Sequence, residues 1–150
     1  MLKRYAFWLW AAVIVMLLTA AVHSITLFVS PDPQNEVERQ LFELMQTYRP
    51  DLGPIFHPTM ANLSTALSSC FSLLCLLGGL TNAYLLRKKA EPGIMKGIIL
   101  IDLVVFATCF VIIAVLTFLP PIVLTGLIVL FLLLAFIAIH RSGQVSEARP

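Results

Sequence analysis

Asp102 is the one acidic residue set inside a long apolar run, and His23 is a histidine placed well within another. Asp102 stands six residues past Lys96, a depth of about 9 Å along a helix rising 1.5 Å per residue. A carboxylate at that depth in lipid is costly unless paired or protonated, which by default makes it a functional hypothesis. Asn82 stands five residues before Arg87 and so reaches nearly the same depth. An Asp102–Asn82 contact between adjacent antiparallel helices is the natural pairing. The structural alternatives are that hydrogen bond alone, or an ion pair with a snorkelling Lys96 or Arg87. The sharper one is a proton-coupling carboxylate. His23 lies six residues before Val29, also about 9 Å from the outer end of its run. Counted from Pro58, Thr65 and Ser69 reach a comparable depth and could face it.

His57 is placed at the outward mouth, near Glu36, Glu38, Glu43 and Asp51. Histidine with carboxylates can relay protons or bind a metal, but no HxxxH or other ligand spacing occurs, so no metal is expected. His140 belongs to the opposite leaflet from His23 and cannot share a haem with it. Cys70, Cys75 and Cys109 all lie in apolar segments and form no CxxC pair. They read as small buried apolar residues. No nucleophile elbow, P-loop, HExxH or glycine-rich phosphate cradle appears. The expectation is therefore a protein that is not an enzyme and carries no cofactor.

The elements that position these residues are membrane spans. Of 150 residues 59% are hydrophobic and 12% charged, with mean hydropathy +0.94. Soluble domains are about 45–50% apolar and about a quarter charged. The net charge of +2, with no basic patch interleaved with aromatics, speaks against nucleic acid. The first uncharged run, 5–29, exceeds the apolar stretch of about 20 residues that crosses the core. It also exceeds the h-region of a signal peptide, about 7–15 residues, although Val22 and Ser24 would suit a cleavage site. An uncleaved span over about 6–29 is expected, with Ala12, Thr19, His23, Thr26 and Ser30 within roughly 60° of one another. A second span is placed at about 59–86. The uncharged stretch 103–139 would reach roughly 55 Å as one helix, so it must break, and Pro120-Pro121 is the expected break. Spans at about 96–118 and 122–140 follow, then a disordered tail over 141–150.

The second span has two unlike halves. Asn62, Ser64, Thr65, Ser68, Ser69, Ser72, Cys75, Gly79, Asn82 and Ala83 fall within roughly 160°; the other half carries Leu67, Leu73, Leu77, Leu80 and Tyr84. In lipid, helices associate through close backbone approach and hydrogen bonds, which small and hydroxyl residues supply. The small half is read first as a packing face, second as the lining of a cavity. Between the first two spans, 33–48 reads as an amphipathic helix, with Asp32 as N-cap and Pro33 at its first position. Its apolar stripe is Val37, Leu41, Leu44, Met45 and Tyr48. Its acidity argues against binding an anionic leaflet, so it is expected to cap the bundle.

Eight cationic residues (Lys3, Arg4, Arg87, Lys88, Lys89, Lys96, Arg141, Arg149) fall on one side of these spans. Arg39 and Arg49 fall on the other, with five acids. The positive-inside rule then makes both termini cytoplasmic and the amphipathic helix external. The HSITLFVSPDP junction, the ELMQTY loop and the LSTALSSCFSLLCLLGGLTNAYLLRKK span together resemble small four-span bacterial integral membrane proteins of DoxX-like pattern. That resemblance implies a four-helix membrane fold and no particular activity. The membrane glutamate of small multidrug transporters is missing, as is the Arg/Asn/Glu-rich pattern of glutathione-using four-span enzymes. The expectation is an all-α, up-down four-helix bundle in the cell membrane. Its leading role is a structural or accessory subunit that packs with itself or a membrane partner within the lipid bilayer. The alternative is a minimal proton-coupled transporter using Asp102 and His23.

Overall fold

A computed structural model describes residues 2–29, 32–53 and 55–147, and the side chains of 4–25, 27–29, 32–53 and 55–141. The described residues form five helices and no strand: α1 (Leu2–Thr26), α2 (Glu36–Thr47), α3 (Met60–Arg87), α4 (Pro92–Leu116) and α5 (Leu119–Glu147). Four of these, α1, α3, α4 and α5, are long and apolar enough to cross a membrane. The shortest candidate stretch, the 22 residues of Arg4–Ile25, reaches about 33 Å against a hydrocarbon core of about 30 Å.

The chain divides into two compact units, Met1–Thr19 with Cys75–Pro150, and Ala20–Leu74. In the first unit each helix buries one stripe. On α1 this is Tyr5, Leu9, Ala12, Val13 and Met16; on α5 it is Thr125, Ile128, Leu132, Ala135 and Ile139. Both follow the spacing of three and four that keeps one face inward. A Cβ on Gly79 of α3 would lie 2.8 Å from Leu17 Cδ2 of α1, and one on Gly78 would lie 3.2 Å from Phe106 Cε2 of α4. These two glycines let three helices approach closely. The Phe110 ring of α4 covers Gly126 of α5, and Trp8 of α1 stacks on Phe131 of α5 at 6.0 Å between centroids. Within this unit, α1 therefore meets α3, α3 meets α4, α4 meets α5, and α5 meets α1.

Several boundaries differ from expectation, each for a local reason. The break between the last two spans falls at Thr117 and Phe118, and both prolines lie inside the first turn of α5. First-turn N–H groups have no partner within a helix, so proline costs nothing there, while its ring excludes the carbonyl four residues back. Those carbonyls belong to Leu116 and Thr117, where the chain leaves the helix, and Thr117 is extended (φ −131°, ψ −165°). Likewise α4 starts at Pro92, with proline in its first turn, rather than near 96. Helix α5 continues to Glu147 through part of the expected tail, because extending a running helix fixes only one more residue per hydrogen bond. Residues 148–150 lie outside the described ones.

α2 is shorter than the expected 33–48, and its N-cap is Asn35 rather than Asp32. The Asn35 side chain accepts the Glu38 N–H at 2.9 Å, and the Glu38 carboxylate accepts the Gln34 N–H at 2.7 Å. This reciprocal cap satisfies two backbone donors from within the sequence Gln34–Glu38 and leaves Asp32 outside the helix. α3 ends in a Schellman turn, with Ala90 N–H on Leu85 O and Lys89 N–H on Leu86 O. Lys89 holds the left-handed position (φ 52°) that glycine usually fills.

Candidate functional site

The structure brings Asn82 and Asp102 together in the first unit. Asn82 is fully buried, and its amide nitrogen donates to Gly78 O at 2.9 Å and to Asp102 Oδ2 at 2.5 Å. The first bond turns the side chain back along its own helix, and the second crosses from α3 to α4. Asp102 is half-buried and forms no ion pair with Lys96 or Arg87, both of which are exposed. An ionised carboxylate only accepts, which matches an amide presenting its NH2 group. A protonated carboxyl would instead donate to the amide oxygen after a flip, so one asparagine can serve either state. Asn82 Oδ1 is buried without a hydrogen-bond partner among the described residues.

The remaining sequence candidates lie in or beside the second unit and do not converge on one point. The His23 ring meets Phe71 of α3 edge-on at 5.3 Å, so an aromatic from the apolar half of α3 is one of its neighbours. Ser69 donates back to Thr65 O at 2.7 Å on its own helix. Thr26 closes α1, and its side chain is outside the described residues. Asn62 is a capping residue: Thr59 Oγ1 accepts the Asn62 N–H at 3.2 Å and donates to Asn62 Oδ1 at 2.7 Å. The Thr59-to-Asn62 spacing carried that signal in the sequence. His57 is exposed. Among the described residues no three His, Cys, Asp or Glu side chains gather as a metal site.

A cavity of about 530 Å³ lies within this unit. The second reading of the small half of α3 allowed for one, and what sequence reasoning missed is that α2 forms its other wall. Its apolar wall is Leu27, Val29, Phe42 and Met45, and its hydroxyl wall is Ser64, Thr65 and Ser68 of α3. Asp32, Arg39 and Gln46 add charge and polarity. α2 faces the cavity with Phe42 and Met45, both half-buried, while Val37, Leu41, Leu44 and Tyr48 of the expected packing stripe are exposed. No residue of α2 is fully buried, so of the stripe expected to cap a bundle only Met45 is partly covered within this unit. Met45 belongs to the expected stripe and does face the cavity, whereas Phe42, one turn before Gln46 and outside that stripe, is the residue whose inward position the stripe did not signal. α2 is tied to α3 where Met60 N–H donates to Tyr48 O at 3.1 Å, filling one of the open donors at the start of α3.

Arg39 is held in place by Glu36, through Nε at 2.8 Å and Nη2 at 2.6 Å, with Glu43 3.8 Å away. The hydrogen bonds from Arg39 and then Gln40 hold the Glu36 carboxyl below its usual range, and Glu36 in turn raises Arg39. One turn below Ser68, Ser72 is buried, and its hydroxyl has no hydrogen-bond partner among the described residues. Comparison with protein-family models, with curated proteins and with solved structures finds no match to this chain.

Proposed function

We propose that this chain is a small multi-pass membrane protein with a structural or accessory role, packing with a second copy or with a membrane partner. The observation that carries the reading lies on α3. Ser72, Cys75, Gly79 and Asn82 are covered within the chain, whereas Asn62, Ser64 and Thr65 at the start of the same helix are exposed. Hydroxyl and amide side chains on a span are the groups that join helices in lipid. Ser64 and Thr65 border the cavity and still remain exposed together with Asn62, so this set suits a further helix beside the cavity. Asp102 is already engaged by Asn82, which supports a structural part for the intramembrane acid. The charge asymmetry supports an up-down arrangement with both termini and the 87–96 loop cytoplasmic and α2 external.

The test is crosslinking in native membranes from a cysteine-free background. A Thr65→Cys variant is expected to give a discrete adduct of dimer mass, or of one defined partner, while Leu77→Cys on the opposite half of the helix gives none. Monomer alone from both positions would overturn the reading. Cysteine placed at Lys88 should be labelled only after permeabilisation, and labelling in intact cells would reverse the proposed orientation.

A further inference from the structure

We propose that the cavity of the Ala20–Leu74 unit binds one zwitterionic phospholipid of the surrounding bilayer, its ammonium at Asp32 and its phosphate at Arg39. This rests on the membrane reading above. The cavity lies beside the first turns of α3, where Ser64, Thr65 and Ser68 line it, and a span that begins at Met60 places those turns near the headgroup layer. Its volume of about 530 Å³ is that of a site for a drug-sized group, about 300–1,000 Å³, so it takes the headgroup and glycerol of one lipid while the acyl chains stay in the bilayer. One wall is apolar and the other hydroxylated, which matches a molecule with a chain and a polar head.

Charge decides which head. A guanidinium has five N–H donors, and the fork to Glu36 engages Nε and Nη2. Glu43 stands 3.8 Å from Nη1, beyond hydrogen-bond distance. The hydrogens of Nη1 and the second one of Nη2 can therefore still meet a phosphate oxygen, and the fork to Glu36 holds the group still while they act. Yet the hydrophilic segment carries five acids against two arginines, and Asp32 itself lines the cavity. A headgroup with net negative charge meets that excess unfavourably. A headgroup whose phosphate is balanced by its own ammonium satisfies both ends. The Ser64 and Ser68 hydroxyls, which make no side-chain hydrogen bond among the described residues, can serve the glycerol and ester oxygens.

The experiment is native mass spectrometry of the full chain released from nanodiscs of equimolar phosphatidylethanolamine and phosphatidylglycerol. One retained phosphatidylethanolamine per chain is expected, in severalfold preference over phosphatidylglycerol. Ala61 also lines the cavity, and Ala61→Trp, which puts an indole into it, should abolish retention. Asp32→Asn and Arg39→Gln, both at exposed positions, should each lower retention about two- to fivefold, the range of an exposed ionic contact. Circular dichroism should show that Arg39→Gln, which also loses the Glu36 fork, keeps its helix content. Equal retention of both lipids, or retention unchanged in Asp32→Asn and Arg39→Gln, overturns the inference. A protein that stays in carbonate-washed membranes but retains no lipid refutes the site while leaving the membrane reading intact. One that washes out refutes both.

Discussion

Removing the Asn82–Asp102 bond from both ends separates its energy from the packing around it. Asn82→Ala deletes a fully buried amide with two acceptors, Gly78 O and Asp102 Oδ2, and leaves a small void as well. Asp102→Ala deletes a half-buried carboxylate held by that one donor. The single variants therefore mix hydrogen bond, void and solvation, and only their coupling reports the contact. Interhelical hydrogen bonds in membranes average about 0.6 kcal/mol and reach about 1.7. A charged acceptor makes such a bond roughly twice as strong as a neutral pair, so coupling of about 1–1.7 kcal/mol is expected. Asp102→Asn keeps an acceptor without the charge, and its coupling to Asn82→Ala should fall to about 0.6 kcal/mol. The assay is reversible unfolding in mixed micelles of rising dodecyl sulfate fraction, followed by circular dichroism. Coupling within about 0.3 kcal/mol of zero would refute the reasoning, since independent sites add to that accuracy. Proton-driven flux into liposomes, lost in Asp102→Asn, would instead favour the transporter alternative.

The same titration tests the glycine contacts. Gly79→Ala sets a methyl 2.8 Å from Leu17 Cδ2 and 3.0 Å from its Cγ, and overpacking of this kind costs about 1–3 kcal/mol. Gly97→Ala meets nothing within 4 Å and should be neutral or stabilise by up to about 1 kcal/mol through helix propensity; equal effects at the two sites would dismiss the close approach. Lys89→Gly relieves a left-handed lysine in the turn after α3 and should stabilise by about 1 kcal/mol, with no gain counting against that turn. Asn35→Ala should weaken α2 by about 0.5–2 kcal/mol, seen as faster amide exchange at Glu38 and Arg39. Because Glu36 titrates below its ordinary 4.5 when folded, its support for α2 is complete above that value and fades as pH falls through the lower, folded value. Amide exchange in α2 should accelerate over that acid range, and less so in high salt, which screens exposed pairs.

Much of the fold was legible because the demands on a helix able to cross a membrane are simple. A span must be long, apolar and internally hydrogen-bonded, so the four long helices could be read from hydropathy and length. The depth match of Asn82 and Asp102 was legible too, since a helix rises by a constant amount per residue and both residues could be counted from flanking cations. Helix ends were less so. Pro120 and Pro121 announced a break, but proline is excluded from a helix interior and welcome in a first turn, so the stop fell just before them. Asp32 and Asn35 are both good caps, and only the hydrogen bonds to Glu38 chose between them.

The amino-acid sequence by itself determined that this chain forms long apolar helices, that Pro120-Pro121 divides the final hydrophobic stretch, and that one half of α3 is small and polar. Those properties are local, set by composition and by the helical repeat. Only the tertiary structure decided that Phe42 and Met45 turn toward a cavity while Val37, Leu41, Leu44 and Tyr48 turn away. It also decided that Ser72 is covered while Ser64 and Thr65 are not. The 12-residue helix is strongly amphipathic, with one wide apolar arc that has Met45 and Phe42 along one edge. Which edge of it meets α3 depends on the connections at its two ends, above all the Met60-to-Tyr48 bond, and not on its own periodicity.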